Sequence, residues 1–346
     1  MPAAVIGRTV RGKLCFVVTG YPVLSETFIL DQIVGMAERD FEVSIVCDHI
    51  DDVLYKGIMA GPAGKVLPPP QHRWIANRLV RALIEQRYLP WRVRTRLEVL
   101  ADAVSDTRLN RHDLLIAHFA WNGQRLALSK AWGTLRRPFV TVLHGVDVGV
   151  PFWSGKMNTY AALFKRGSML LPVCRHFQDL LLKSGADPAR MQVVPTGVDC
   201  SSLPFACDRT GIQEFKILTV ARLVEKKGIE YALRALGLLR ARSPHLSWHY
   251  EIVGTGPLRS ALELLARECR IADRITFSGP LPHPEVKSRM RAAHVFVLPS
   301  VTAENGDMES MPVVLKEAMA TGATVISTTH SGIPELITHA QNGFLA

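Results

Sequence analysis

The chain has 346 residues, 48% of them apolar, and a formal net charge of +10. That length fits two ordinary domains, and that apolar share supplies a large core and excludes a disordered chain. Six cysteines are scattered at 15, 47, 174, 200, 207 and 269 with no C-x-x-C pair, which argues against a zinc site or a disulfide framework and fits a reducing cytosol. The amino terminus, MPAAVIGRTVRGK, lacks the apolar core of a signal peptide. No run approaches the ~18 apolar residues of a spanning helix. The expected location is cytoplasmic, for a chain that does not span a membrane but can sit on one.

Short apolar, β-branched runs alternate with helical patterns along the chain. Strands are expected at 14–19, 42–47, 114–117, 139–143, 169–173 and 192–194, with helices at 26–38, 75–86 and 176–183. A polar stretch at 199–213, with Pro204 and Gly211, reads as a linker. After it come strand 216–220, helix 229–242, strand 248–253, helix 258–268, strand 275–278 and helix 284–293. Such alternation predicts parallel sheets with right-handed crossovers, in two Rossmann-like domains.

The charge is uneven. Residues 71–100 hold seven arginines (73, 78, 81, 87, 92, 94 and 96) against Glu85 and Glu98, mixed with Trp74, Tyr88 and Trp91. A basic helical stretch with aromatics suits an anionic lipid surface. It equally describes a solvated face of a basic protein. No nucleic-acid-binding motif accompanies it, so no nucleic-acid partner is expected.

The most informative segment runs from His294 to Glu335. An apolar run at 294–298 reads as a buried strand ending at Pro299, followed by a polar loop with Glu304, Asp307 and Glu309. Pro312 then opens a helix through Met319, Gly322 stops it, and a second apolar run, 323–327, leads to a Gly-Ile-Pro-Glu turn. With Pro312 at the first helical position, the amides of Val313, Val314 and Leu315 are expected to be free, a seat for an anion such as a diphosphate. Glu309 and Glu317 bracket the helix start, and carboxylates accept well from vicinal hydroxyls of a sugar or ribose. Taken alone, the two acids also fit an exposed loop and an ordinary helical residue.

The whole segment, SVTAENGDMESMPVVLKEAMATGATVISTTHSGIPELI, resembles the EX7E signature of retaining glycosyltransferases of family 4. VARLVEKKGIEYALRAL (220–236) resembles the diphosphate-binding segment of that family, and HGVDV (144–148) its amino-terminal-domain histidine motif. YPVLSETFILDQI (21–33) looks like the first loop and helix of the colanic-acid-type exopolysaccharide branch. The resemblance runs from about residue 13 to the end. It implies a GT-B fold: an acceptor-binding domain at 1–203, a linker at 204–213 and a nucleotide-sugar-binding domain at 214–346, with the active site in the cleft between domains. Family members continue for some tens of residues past the equivalent of NGFLA, forming helices of which the last crosses back. Those helices are expected to be missing here, as in a truncated frame or a fragment.

By the same resemblance, Glu309 binds the donor sugar and Glu317 the ribose. The diphosphate falls to Arg222, Lys227 and the backbone of Ser310, Met311, Val313 and Val314. Two cations converging there would neutralise leaving-group charge in place of a metal. No DxD motif is placed to hold one, and the resemblance implies metal independence. Without it, VEKKG is a solvated basic turn. Gly254 and Gly256 form a strand-to-helix glycine turn, weak alone and unlike a dinucleotide fingerprint because Arg259 stands at the third glycine position. By resemblance this turn lines the nucleotide pocket, and backbone around Leu281 meets the base.

His144 would face donor sugar or acceptor. Three roles stay open: bonding a sugar hydroxyl, orienting the acceptor, or helping a proton leave. His118 and Asp147 are further acceptor-side candidates, with Gly20 and Glu26 of the first loop. Ser25 and Thr27 could cap the helix that follows. That loop lacks the paired glycines common in the wider family.

The function so implied is retaining transfer from a nucleotide-diphosphate sugar to a saccharide or lipid-diphosphate-linked oligosaccharide. The mechanism is front-face, with stretch 71–100 docking on the membrane. A nucleotide-sugar 2-epimerase shares the fold, and an inactive nucleotide-binding remnant or complex subunit is the non-enzyme alternative. A glycoside hydrolase is disfavoured, since its carboxylate pair needs a set separation across a sugar.

Overall fold

The computed structural model describes residues 10–23, 26–61, 64, 67–72, 106–206 and 212–346. The chain divides into two compact units. One comprises Met1–Val148, Gly155–Pro172 and Gln178–Val194; the other comprises Gly149–Ser154, Val173–Phe177 and Pro195–Ala346.

The first unit is built on strands β1 (Gly12–Tyr21), β2 (Phe41–Ile50), β3 (Gln71–His72), β4 (Leu114–His118), β5 (Phe139–Leu143) and β6 (Met169–Pro172). Their order is β3-β2-β1-β4-β5-β6, and every pairing is parallel. Helices α1 (Thr27–Ala37), α2 (Asp52–Met59), α3 (Ala120–Ala131) and α5 (Ala161–Arg166) lie within it, whereas α4 (Val146–Trp153) and α6 (Arg175–Lys183) have residues in both units. Parallel strands are covered on both faces, so their sequences are near-continuously apolar rather than alternating. Accordingly Cys15, Phe16 and Val17, three successive residues of β1, are all fully buried.

The second unit repeats the plan with β7 (Phe215–Val220), β8 (Trp248–Val253), β9 (Ile275–Gly279), β10 (Val295–Leu298), β11 (Thr324–Ser327) and β12 (Phe344–Leu345). The order is β12-β11-β10-β7-β8-β9, again all parallel. Its helices are α7 (Ile229–Arg242), α8 (Arg259–Glu268), α9 (His283–Ala292) and α10 (Val313–Ala320). Neighbouring residues of β7 feed opposite faces, as the pleat requires. Ile217 packs with Leu233 of α7 and Leu262 of α8, whereas Leu218 packs with Met290 of α9 and Leu315 of α10.

In both sheets the strand order reverses beside the first strand of the unit: between β1 and β4, and between β7 and β10. Open parallel sheets bind ligands at the carboxyl ends of strands flanking such a reversal. This topology is the two-Rossmann arrangement expected of a GT-B chain.

Several expectations need correction. No strand forms at 192–194: only Met191 makes an isolated bridge to Leu170, followed by bonds from the Gln192 and Val194 amides to β6. Pro312 is the cap of α10 rather than its first helical residue. The Leu315 amide is therefore not free, because it donates to the Pro312 carbonyl at 3.1 Å. Thr27 begins α1, whose cap is Glu26 with no side-chain capping bond. Ser25, the predicted helix at 75–86 and all seven arginines of the basic stretch lie outside the described residues, as do Cys207 and Gly211. Among the described residues, no helix is long and apolar enough to cross a membrane.

Candidate functional site

In the second unit the loops after β7 and β10 meet in a charge cluster. Lys227 Nζ lies 2.9 Å from Glu309 Oε1. Lys226 Nζ lies 3.3 Å from the same oxygen and 3.0 Å from Asp307 Oδ1. Glu309 and Lys226 are each only 8% exposed, so water screens these charges poorly. Burial alone would raise the Glu309 carboxyl, but the ammonium groups of Lys227 and Lys226 outweigh it and hold the pKa at about 2. Its amide donates to His330 Nε2 at 3.3 Å, which requires that nitrogen to be unprotonated. Burial lowers the pKa of His330 accordingly.

Arg222 stands apart from this cluster. It is exposed, and no carboxylate among the described residues pairs with it. Glu317 lies on α10, mostly buried, with His283 Nε2 at 3.5 Å from its Oε1. Ser310 is part-buried, Met311 buried, and Val313 and Val314 part-buried. Among the described residues the Val313 and Val314 amides have no protein acceptor, which leaves two donors at the positive end of α10. Leu281 is part-buried and packs against the core cluster that contains Leu218, Met290 and Leu315.

Gly254 and Gly256 are explained first by packing. Gly254 has φ +135, and a Cβ there would stand 1.9 Å from the Ala221 carbonyl oxygen. A Cβ on Gly256 would stand 2.4 Å from the Leu223 carbonyl oxygen. Bonds from Leu223 N to Thr255 O and from Leu258 N to Leu223 O lock the two loops together. Only glycine allows this approach, and it holds the backbone of Arg222 in place.

In the first unit, the ends of β4 and β5 bring two histidines together. His118 Nδ1 is 2.9 Å from His144 Nε2, with the rings stacked at 5.1 Å and 10°. His118 is 1% exposed, and burial pushes its pKa down to about 3. His144 is part-exposed; burial, then the neighbouring His118, put its pKa well below the usual imidazole value. Phe28 and Phe119 flank the His144 ring at 4.7 and 4.9 Å.

Asp147 is fully buried and does not face outward. Its carboxylate accepts from the amides of Ala120 at 2.9 Å, His144 at 3.0 Å and Gly145 at 2.8 Å. It caps α3 and ties the His144 loop to the end of β4. Burial raises its carboxyl pKa against those three bonds. Gly20 and Glu26 are part-buried near the end of β1 and the start of α1, and neither contacts the histidine pair by any hydrogen bond described.

Sequence reasoning thus found Glu309 and Lys227 but passed over Lys226 and His330. A doubled lysine in VEKKG was the available signal for Lys226; its partner Asp307 lies in the other loop. Among the described residues, no group of three His, Cys, Asp or Glu side chains could hold a metal ion.

Comparison with known proteins places the chain. Residues 25–202 match the glycosyltransferase family 4 model, and residues 209–346 match the glycosyl transferases group 1 model. The chain is 32% identical to a Salmonella typhimurium glycosyltransferase named for colanic acid biosynthesis, over 96% of this chain and 86% of the relative. It is 30% identical, with the same coverage, to the amylovoran biosynthesis glycosyltransferase of Erwinia amylovora. Among solved structures, Anabaena HepE in complex with UDP-glucose superposes with a TM-score of 0.72 at 18% identity, over 97% of this chain and 85% of that one. The chain belongs to glycosyltransferase family 4.

Proposed function

We propose that this glycosyltransferase moves a sugar, with retention, from a nucleotide-diphosphate sugar to a saccharide acceptor in the making of an exopolysaccharide. The acceptor class extends to a lipid-diphosphate-linked oligosaccharide. Names of relatives support the setting: colanic acid and amylovoran biosynthesis. Solved neighbours bound to UDP and UDP-glucose support the donor class.

The carrying observation is Glu309 held ionised between Lys226 and Lys227 at the strand reversal of the second unit. The four charges of Lys226, Lys227, Asp307 and Glu309 cancel. Exposed Arg222 and the Val313 and Val314 amides remain to meet a diphosphate. As it binds, Lys227 turns from Glu309 to the phosphates and frees the carboxylate for donor-sugar hydroxyls. Lys226, fastened to Asp307, keeps Glu309 in place. Glu317 takes the ribose hydroxyls. Ser310 and Met311 shape the diphosphate loop, and Leu281 borders the base.

In the transfer step the bond from the anomeric carbon to the phosphate oxygen breaks. The acceptor oxygen bonds to that carbon on the same face. The acceptor proton passes to the departing phosphate oxygen. No enzyme nucleophile is consumed, and Arg222 and Lys227 stabilise the developing phosphate charge. Within the first unit, His144 is the residue assigned to a sugar hydroxyl.

The test is product analysis by NMR with a panel of nucleotide sugars and a lipid-diphosphate-linked saccharide. Expected is a new glycosidic bond with the donor's anomeric configuration. An inverted linkage would refute retention. An epimerised sugar formed without acceptor would make the protein a 2-epimerase.

A further inference from the structure

The mechanism above leaves the role of His144 open among several possibilities, and the histidine pair decides among them. Only one proton can occupy the 2.9 Å contact between His118 Nδ1 and His144 Nε2. Either His118 donates or His144 does. Among the described residues, the far nitrogen of His118, Nε2, is buried with no hydrogen-bond partner. If His144 donated, the neutral His118 would carry its own proton on that Nε2, leaving a buried N–H without an acceptor. If His118 donates, Nε2 is only an unused lone pair. Buried donors without partners are the rarer and costlier case.

We infer that His118 is a positioning residue: its Nδ1–H donates to His144 Nε2 and so fixes the proton of His144 on Nδ1. The surroundings allow little else. His118 is stacked on Phe16 at 6.0 Å and 17°, and the His144 ring is held between Phe28 and Phe119. The backbone of His144 is anchored by its amide bond to Asp147. Among the described residues Nδ1 of His144 has no protein partner. That nitrogen is then a fixed hydrogen-bond donor, suited to a sugar hydroxyl oxygen or to an oxygen gaining negative charge. It cannot take a proton from an acceptor hydroxyl. The consequence for catalysis rests on the proposed function; the tautomer does not.

The experiment is two-bond nitrogen–proton NMR on protein carrying nitrogen-15 histidine, at pH 7, with His144→Gln to assign the His144 signals. Expected for the wild type is a protonated Nδ1 on both His118 and His144. A protonated Nε2 on His144 overturns the inference. Turnover gives the second readout. His118→Leu, which cannot donate, should lower kcat about tenfold or more with donor KM changed less than about twofold. His118→Asn places an amide N–H near the lost Nδ1–H and should restore kcat to within about threefold. Wild-type kcat in His118→Leu, or no rescue by asparagine, would overturn the positioning role. Wild-type turnover in His144→Gln would instead remove His144 from the proposed reaction, with the tautomer still decided by the spectrum.

Discussion

Lys227 Nζ and Glu309 Oε1 lie 2.9 Å apart, although they stand on loops that follow different strands, β7 and β10. Those strands are neighbours at the point where the sheet order reverses. The ion pair therefore lies at the reversal where an open parallel sheet receives its ligand. In the proposed reaction this pair keeps both partners charged and positioned until a diphosphate competes for the lysine.

Removing the shared carboxylate should cost stability as well as activity. Glu309→Gln leaves two lysines, both mostly buried, without their common partner, and breaking such a group costs about 3–5 kcal/mol. The pH dependence follows from the folded pKa of about 2 against an ordinary 4.5. A folded value below the unfolded one contributes stability that is whole above about pH 4.5 and lost as pH falls toward 2, about 3 kcal/mol in all. Denaturant melts between those values should show the loss in the wild type and a shallower slope in Glu309→Gln. Equal slopes would remove Glu309 from the acid response.

Arg222→Ala should separate binding chemistry from folding. The side chain is exposed and unpaired among the described residues, so melting should shift by less than about 0.5 kcal/mol. Turnover should fall by about a hundredfold, the order seen when a stabiliser of transition-state charge is removed. Near-wild-type turnover would strip Arg222 of its role. On the proposed neutralisation by Arg222 and Lys227, activity should also survive exhaustive chelation by EDTA; loss restored by added magnesium would show that a metal shares the work.

Gly254→Ala should destabilise the second unit before it alters any ligand contact. Its φ is +135, and the added methyl would stand 1.9 Å from a carbonyl oxygen. Backbone strain of this class costs about 1–3 kcal/mol, and the clash adds to it. Calorimetric unfolding would show a lowered transition. An unchanged melting point with weakened nucleotide affinity would mean that the glycine serves the ligand directly.

Much of the fold could be read from the residues because apolar runs announce buried parallel strands. The predicted bounds of β5, β8 and α7 coincide with the observed ones. Helix α3 escaped notice for a physical reason. Its cap residue, Phe119, has φ 71 and no capping side chain, and the capping carboxylate is that of Asp147, far along the chain. Helix α4 contains Gly149 and Pro151, residues that read as helix breakers. At 192–194 a β-branched pair suggested a strand, but hydrogen bonding to β6 stops at two amides. In the site, Glu309 and Lys227 stood in recognisable motifs. Lys226 did not, since its importance comes from Asp307 in a loop that only the sheet topology brings near. The histidine pair was visible as two separate motifs, but their contact depends on β4 and β5 being adjacent.

The most direct measurement is titration calorimetry of UDP, GDP and ADP against the wild type and Glu317→Ala. Selective binding of one nucleotide is expected, weakened about tenfold or more in the variant through loss of ribose hydrogen bonds to a charged acceptor. Binding of none of the three, or equal affinity in wild type and variant, would contradict a nucleotide-sugar site at the β7–β10 reversal.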